Sequence, residues 1–124
     1  MKDVKMVVTD MDGTLLNSHH EVSSKFFELF KDLKQQNIQF VAASGRPYYS
    51  IVEKLQPIKD DIIIVAENGG LVIKNEDVLL SNQLDPNRLL ELYTLVTNIE
   101  GAYPIFCTQH RAFILRASDE LVKT

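Results

Sequence analysis

Cysteine is almost absent. Cys107 is the only one in 124 residues, so no internal disulfide can brace the chain. A lone thiol in an acidic chain suits a reducing cytosol. Between Phe106 and Thr108 it is expected to behave as a buried small hydrophobe. Basic charge is also short: 13 Lys and Arg stand against 17 Asp and Glu, a formal net charge of −4. That balance excludes the broad positive surface by which nucleic acid or an anionic membrane would be held. A small anionic substrate would need local help from a metal ion or from backbone amides. Long apolar runs are missing too. Nothing approaches the roughly 20 apolar residues of a membrane helix. The apolar run near the start is too short for a signal peptide and is broken by Asp10 and Asp12. Repeats and low-complexity segments are lacking. These absences together predict a cytoplasmic protein without nucleic-acid or membrane partners.

What is present is ordinary globular composition, 45% apolar and 24% charged, at a length that suits about one domain. Met6 to Thr9 is a short β-branched run that predicts a buried first strand. Residues 10–21 carry loop chemistry: Gly13, Asn17, Ser18 and two histidines. Val22, Phe26, Phe27, Leu29, Phe30 and Leu33 follow at helical spacing. Ser23 or Ser24 can cap the start of that helix, and Asn37 can take the left-handed conformation that ends it. Ile38 to Ala43 predicts a second strand, Pro47 opens a helix to about Leu55, and Ile62 to Ala66 predicts a third strand. The order strand–helix–strand–helix–strand argues a doubly wound α/β layer with right-handed crossovers.

The pattern then changes. Leu71 to Lys74 and Val78 to Ser81 flank Asn75-Glu76-Asp77 and read as a hairpin. Pro86 opens a helix bearing Leu89, Leu90, Leu92, Leu95 and Val96. Tyr103 to Cys107 and Ala112 to Arg116 predict two antiparallel strands. The expected division is a core over residues 1–83 and a second domain beginning over 84–124.

Two carboxylates, Asp10 and Asp12, stand two residues apart where the first strand ends. In extended chain such positions share a side, so both are expected to face one crevice at the C-terminal edge of the sheet, where open α/β folds bind ligands. One carboxylate can attack phosphorus, and the other can give a proton to the leaving oxygen and take one from water. A hard cation such as magnesium, bound by oxygen, would lower the repulsion between anions. Gly13 permits a sharp turn that brings backbone amides to a phosphoryl group.

Asp10-Met11-Asp12-Gly13-Thr14-Leu15-Leu16 resembles the first motif of the haloacid dehalogenase superfamily, Asp-x-Asp-Gly-Thr-Leu. The resemblance implies that Asp10 is the nucleophile and a Mg2+ ligand, and that Asp12 is the general acid/base whose backbone carbonyl also contacts the metal. Residues 13–21 then correspond to a mobile turn and flap. Val41-Ala42-Ala43-Ser44-Gly45-Arg46-Pro47 resembles the second motif, in which Ser44 supplies a hydroxyl and Gly45 an amide to a phosphoryl oxygen. The implied phosphate- and substrate-binding set is Met11, Gly13, Thr14, Ser44, Gly45, Arg46 and Asn68. Two roles stay open for Arg46: a forked grip on the substrate's anion, or a solvated surface charge. Glu67-Asn68-Gly69-Gly70 resembles the Asn-Gly-Ala turn of the Cof-type (IIB) branch, with Gly70 where the family usually has Ala. Asn68 either touches substrate or serves as a turn residue that accepts positive φ. His19 and His20, neighbours on a chain taken as extended, point oppositely and read as surface-loop residues.

The implied fold is therefore a Rossmann-like three-layer core built on a parallel sheet, present in part, with the beginning of an α+β cap. The implied activity is Mg2+-dependent hydrolysis of a small phosphorylated metabolite. The family's later lysine motif and its Gly-Asp-x-x-Asn-Asp-like motif have no counterpart here, and Lys123 is not assigned the lysine's role. The first strand is central in that fold, so one of its edges is expected to lack a neighbour. Either the chain is a fragment, or it completes its sheet by self-association. A catalytically silent association module is thus an alternative. A phospho-receiver domain is a weaker one, because its third strand would end in Asp where Val65-Ala66-Glu67-Asn68 stands.

Overall fold

The computed structural model describes residues 3–114. The chain divides into two compact units, one ending at Asn82 and one beginning at Gln83.

The first unit is an α/β sheet whose five strands lie in chain order: β1 (Met6–Asp10), β2 (Gln39–Ala43), β3 (Ile63–Ala66), β4 (Leu71–Lys74) and β5 (Asp77–Ser81). β1, β2 and β3 run parallel, and β4 and β5 extend the sheet as an antiparallel hairpin. Helix α1 (Ser24–Gln35) crosses from β1 to β2, and α2 (Tyr48–Lys54) crosses from β2 to β3. With the strands in sequential order, two crossovers of the same hand place both helices on one face. Phe40 and Ala42 of β2 and Ile64 and Ala66 of β3 accordingly share one buried cluster with Phe30 of α1 and Ile51 of α2. Val7 pairs with Phe40 and joins that face. Met6 and Val8 take the other face and are 51% and 59% exposed.

Local chemistry sets the element ends. The Ser23 hydroxyl accepts from the Lys25 amide at 3.2 Å, a cap typically worth about 1 kcal/mol. Asn37 ends α1 with φ of 55°. Pro47 precedes α2 as its cap rather than lying inside its first turn. The β4–β5 loop is only Asn75 and Glu76, with φ of 49° and 69°, the pair of positive values that a two-residue hairpin demands. Asp77, expected in the turn, begins β5.

β1 occupies an edge. Among the described residues its only ladder is with β2, so one row of its backbone groups lacks a strand neighbour, as the sequence led us to expect.

In the second unit a turn over Pro86–Arg88 leads into α3 (Leu89–Thr97). The Asp85 carboxylate accepts from the Asn87 amide at 2.9 Å to start it. β6 (Ile105–Cys107) and β7 (Ala112–Ile114) pair antiparallel. β6 begins after Pro104, which has no N–H for a ladder. The predicted continuation of β7 through Leu115 and Arg116 lies outside the described residues. The Phe106 ring meets that of Tyr93, with centroids 6.4 Å apart. Cys107 is exposed, which corrects its expected burial. Strand alternation turns Phe106 toward Tyr93 and leaves Ile105 and Cys107 facing outward.

Candidate active site

The C-terminal ends of β1, β2 and β3 converge on one loop cluster. Asp10 pairs with Ala43 and Ala43 with Val65, so the segments beginning at Met11, Ser44 and Glu67 leave the sheet side by side. At the first, Met11 is fully buried while Asp10 and Asp12 on either side are exposed. An apolar anchor thus fastens the loop and presents both carboxylates outward. Gly13 turns the chain with φ of 73°, and the Leu16 amide closes the turn on the Met11 carbonyl at 2.8 Å.

Residues 16–22 form a small closed loop. Leu16 bridges Val22, and the Asn17 side-chain oxygen accepts from the amides of His19 and Glu21 at 2.9 and 3.0 Å. His20 is held with φ of 58°, so the extended-chain premise does not hold at the histidine pair. Its Nδ1 lies 3.4 Å from Asp12 Oδ1. His20 is a surface residue as expected, but it faces the site.

Ser44 is buried, and its backbone is fixed by bonds from its N–H to the Val65 carbonyl (2.9 Å) and from the Asn68 N–H to its own carbonyl (3.2 Å). Its hydroxyl oxygen accepts from the Arg46 amide at 3.1 Å, which leaves the hydroxyl hydrogen to donate. The Asn68 side chain lies over Gly45. Glu67 and Asn68 both have positive φ, 52° and 54°, so the turn does use Asn68 in the left-handed region.

Arg46 has a partner that neither sequence interpretation named. Its Nε donates to Asp12 Oδ2 at 2.7 Å and its Nη2 to Asp12 Oδ1 at 2.6 Å. Its Nη1 donates to Ser50 Oγ at 3.2 Å. The side chain is 26% exposed, so the solvated surface charge is corrected: the guanidinium is an ion-paired part of the site. The fork holds the Asp12 carboxyl below its ordinary range. Burial opposes this, and His20 adds to it by a smaller effect. The same bond raises the Arg46 pKa. Sequence reasoning missed both Ser50 and His20 as neighbours of this group. Arg46 precedes the Pro47 cap and lies outside α2, so the helix-face rule did not point it at Ser50, and nothing in the sequence pointed His20 at Asp12.

By the family resemblance, the oxygens that would hold a cation are the Asp10 carboxylate and the backbone carbonyl of Asp12. These suit magnesium, which uses one or two carboxylates and fills its shell with water and phosphate oxygens. The Asp12 carboxylate is already occupied by Arg46. Among the described residues no three acidic, histidine or cysteine side chains gather as a ligand set. Also among the described residues, no helix is long and apolar enough to cross a membrane.

The family model of the haloacid dehalogenase-like hydrolases matches residues 7–123, and the chain belongs to that family. It is 29% identical over 122 residues to the 5-amino-6-(5-phospho-D-ribitylamino)uracil phosphatase YbjI of Escherichia coli, covering 98% of this chain and 45% of that protein. The crystal structure of SMU.1108c from Streptococcus mutans superposes with a TM-score of 0.87 at 26% identity, covering 97% of this chain and 46% of that one. The subclass IIB sugar phosphatase BT4131 shares the fold with a TM-score of 0.77 at 21% identity, covering 97% of this chain and 47% of that one. The chain therefore spans about half the length of these relatives.

Proposed function

We propose that this chain carries the nucleophile and the acid/base of a Mg2+-dependent phosphatase that hydrolyses a small phosphorylated metabolite through an aspartyl-phosphate. The observation that carries the proposal is the register of β1 against β2. Asp10 lies beside Ala43, so the carboxylate and the Ser44 hydroxyl emerge at adjacent strand ends, as a nucleophile and a phosphoryl-oxygen donor must. The relatives named as phosphatases support the same chemistry.

In this reading an Asp10 oxygen attacks phosphorus, the ester P–O bond breaks, and Asp12 gives its proton to the leaving oxygen. Asp12 then takes a proton from water, whose oxygen attacks phosphorus, releasing phosphate and restoring the Asp10 carboxylate. Ser44 and the amides of Gly13, Thr14 and Gly45 hold the phosphoryl oxygens. Asp10 and the Asp12 carbonyl would hold Mg2+, which supplies charge neutralisation when bound. As found, with both oxygens accepting from Arg46, Asp12 is in the ionised state that takes the proton from water; for the first step it would carry a proton on one oxygen and keep the other as the acceptor for Arg46. The segment from Gln83 is read as the start of a cap, which would choose the substrate. The named substrates of the relatives favour a sugar-like or ribityl phosphate.

Turnover of p-nitrophenyl phosphate with Mg2+ tests the reading. Activity should vanish in Asp10→Asn, and retained activity in that variant refutes the nucleophile. A second reading, an association module, is favoured by the open β1 edge with its exposed Met6 and Val8.

A further inference from the structure

Arg46 uses all three of its guanidinium nitrogens inside the protein, two on Asp12 and one on Ser50. Its backbone is held on both sides as well. Its amide donates to Ser44 Oγ at 3.1 Å, and its carbonyl accepts from the Glu67 amide at 3.1 Å. One residue thereby ties together the loop after β1, the loop after β2, the turn after β3 and the first turn of α2. α2 is itself fixed from below, because Ile51, next to Ser50, is fully buried in the core.

From this connectivity we infer that Arg46 and Ser50 are positioning residues for Asp12. Ser50, standing on a helix anchored in the core, sets the plane of the Arg46 guanidinium. That plane sets the rotation of the Asp12 carboxylate. A two-point fork fixes a carboxylate's orientation as well as its place, which a single charge cannot do. Without the fork, Asp12 would stand on an exposed turn with only the His20 contact at 3.4 Å to direct it. The guanidinium is committed to this duty, so the substrate's anion must be held by other groups. The inference rests on the proposed role of Asp12 as acid/base, and it adds two residues that act through it.

The test has a spectroscopic arm and a kinetic arm, both on the intact chain. In NMR spectra the Arg46 Nε–H should give a distinct, slowly exchanging resonance. Asp12→Ala should abolish it and Ser50→Ala should broaden it, while Ser50→Thr, which keeps the hydroxyl, should restore it. An Arg46 resonance indifferent to Asp12→Ala overturns the inference. In the phosphatase assay Ser50→Ala should lower kcat about 10-fold and Arg46→Lys about 100-fold, with KM nearly unchanged, the size expected of partners that orient a reacting group. Ser50→Ala should have no further effect in an Arg46→Ala background, because its influence passes through that residue. Additive losses, or losses in KM alone, overturn it. A fork that responds to Asp12→Ala by NMR, beside undiminished turnover in Asp10→Asn, would support the orienting contacts and count against the phosphatase reading, so the two failures are distinct.

Discussion

The Asn68 side chain occupies the space beside Gly45: a β-carbon added there would fall 2.9 Å from Asn68 Oδ1 and 3.3 Å from its Nδ2. The clash is with the end of a side chain rather than with backbone. Gly45→Ala should therefore fold, at a cost of about 1 kcal/mol, the low end for crowding a packed position. It should nonetheless displace Asn68 from the site. Thermal melts should show a small loss and the phosphatase assay a larger one. A variant with unchanged kcat and KM would show that Asn68 serves only the turn.

Gly13 presents the opposite case. Nothing lies within 4 Å of a β-carbon built there, but φ is 73°. The cost of a side chain is then conformational alone. Gly13→Ala should lose about 1 kcal/mol, and Gly13→Asn less, because asparagine tolerates the left-handed region. Chemical denaturation of the two variants checks the order. If alanine proves no worse than asparagine, the positive φ does not matter to folding.

Arg46 holds the Asp12 carboxyl below the ordinary carboxylate range, and this has a sign in the pH dependence of stability. A carboxyl depressed in the folded state stabilises the fold above its unfolded pKa, near 3.9. That contribution is lost as pH falls through the folded value. Asp12→Asn should melt lower than the wild type at pH 7, and the gap should close in strongly acidic solution. The gap will be modest, since the Asp12 side chain is 44% exposed and solvent screens the pair. A gap that stays constant down to pH 2 would mean the ion pair contributes nothing to folding.

β1, an edge strand among the described residues, carries Val8 at 59% exposure. Apolar strand edges invite pairing, and a charged side chain discourages it. Sedimentation velocity should show association that grows with concentration in the wild type and recedes in Val8→Lys. Identical, concentration-independent profiles would mean that the edge does not associate.

The elements were legible from the sequence because local rules set them. Ser23, Asn37 and the Asn75 turn announce their own geometry, and the Phe26-to-Leu33 stripe needs only a period. The strand–helix–strand alternation announced the α/β class, whereas the sequential order of the strands came only with the structure. The first loop was legible as chemistry because its residue types are unusual together. The grip of Arg46 on Asp12 was not, since 34 residues separate them and a charged pair leaves no periodic trace. Pairing within the site was therefore decided by register, which sets which loops become neighbours. Cys107 misled for a related reason: its burial depends on what covers β6, and strand alternation alone does not say which face is covered.

β2 is flanked by a strand on each side and buries Phe40, Val41 and Ala42 on both its faces. Fluctuations that open a protein begin where contacts are few and reach such a strand last. β1, with one ladder among the described residues and an exposed face, can fray while β2 stays paired with β3. Ser44 and Arg46, rooted at the tip of β2, would then keep their places while Asp10 and Asp12 come and go. On the proposed roles, the half of the site that would receive phosphate is the durable half, and the half that would attack it is the first to be lost to local unfolding.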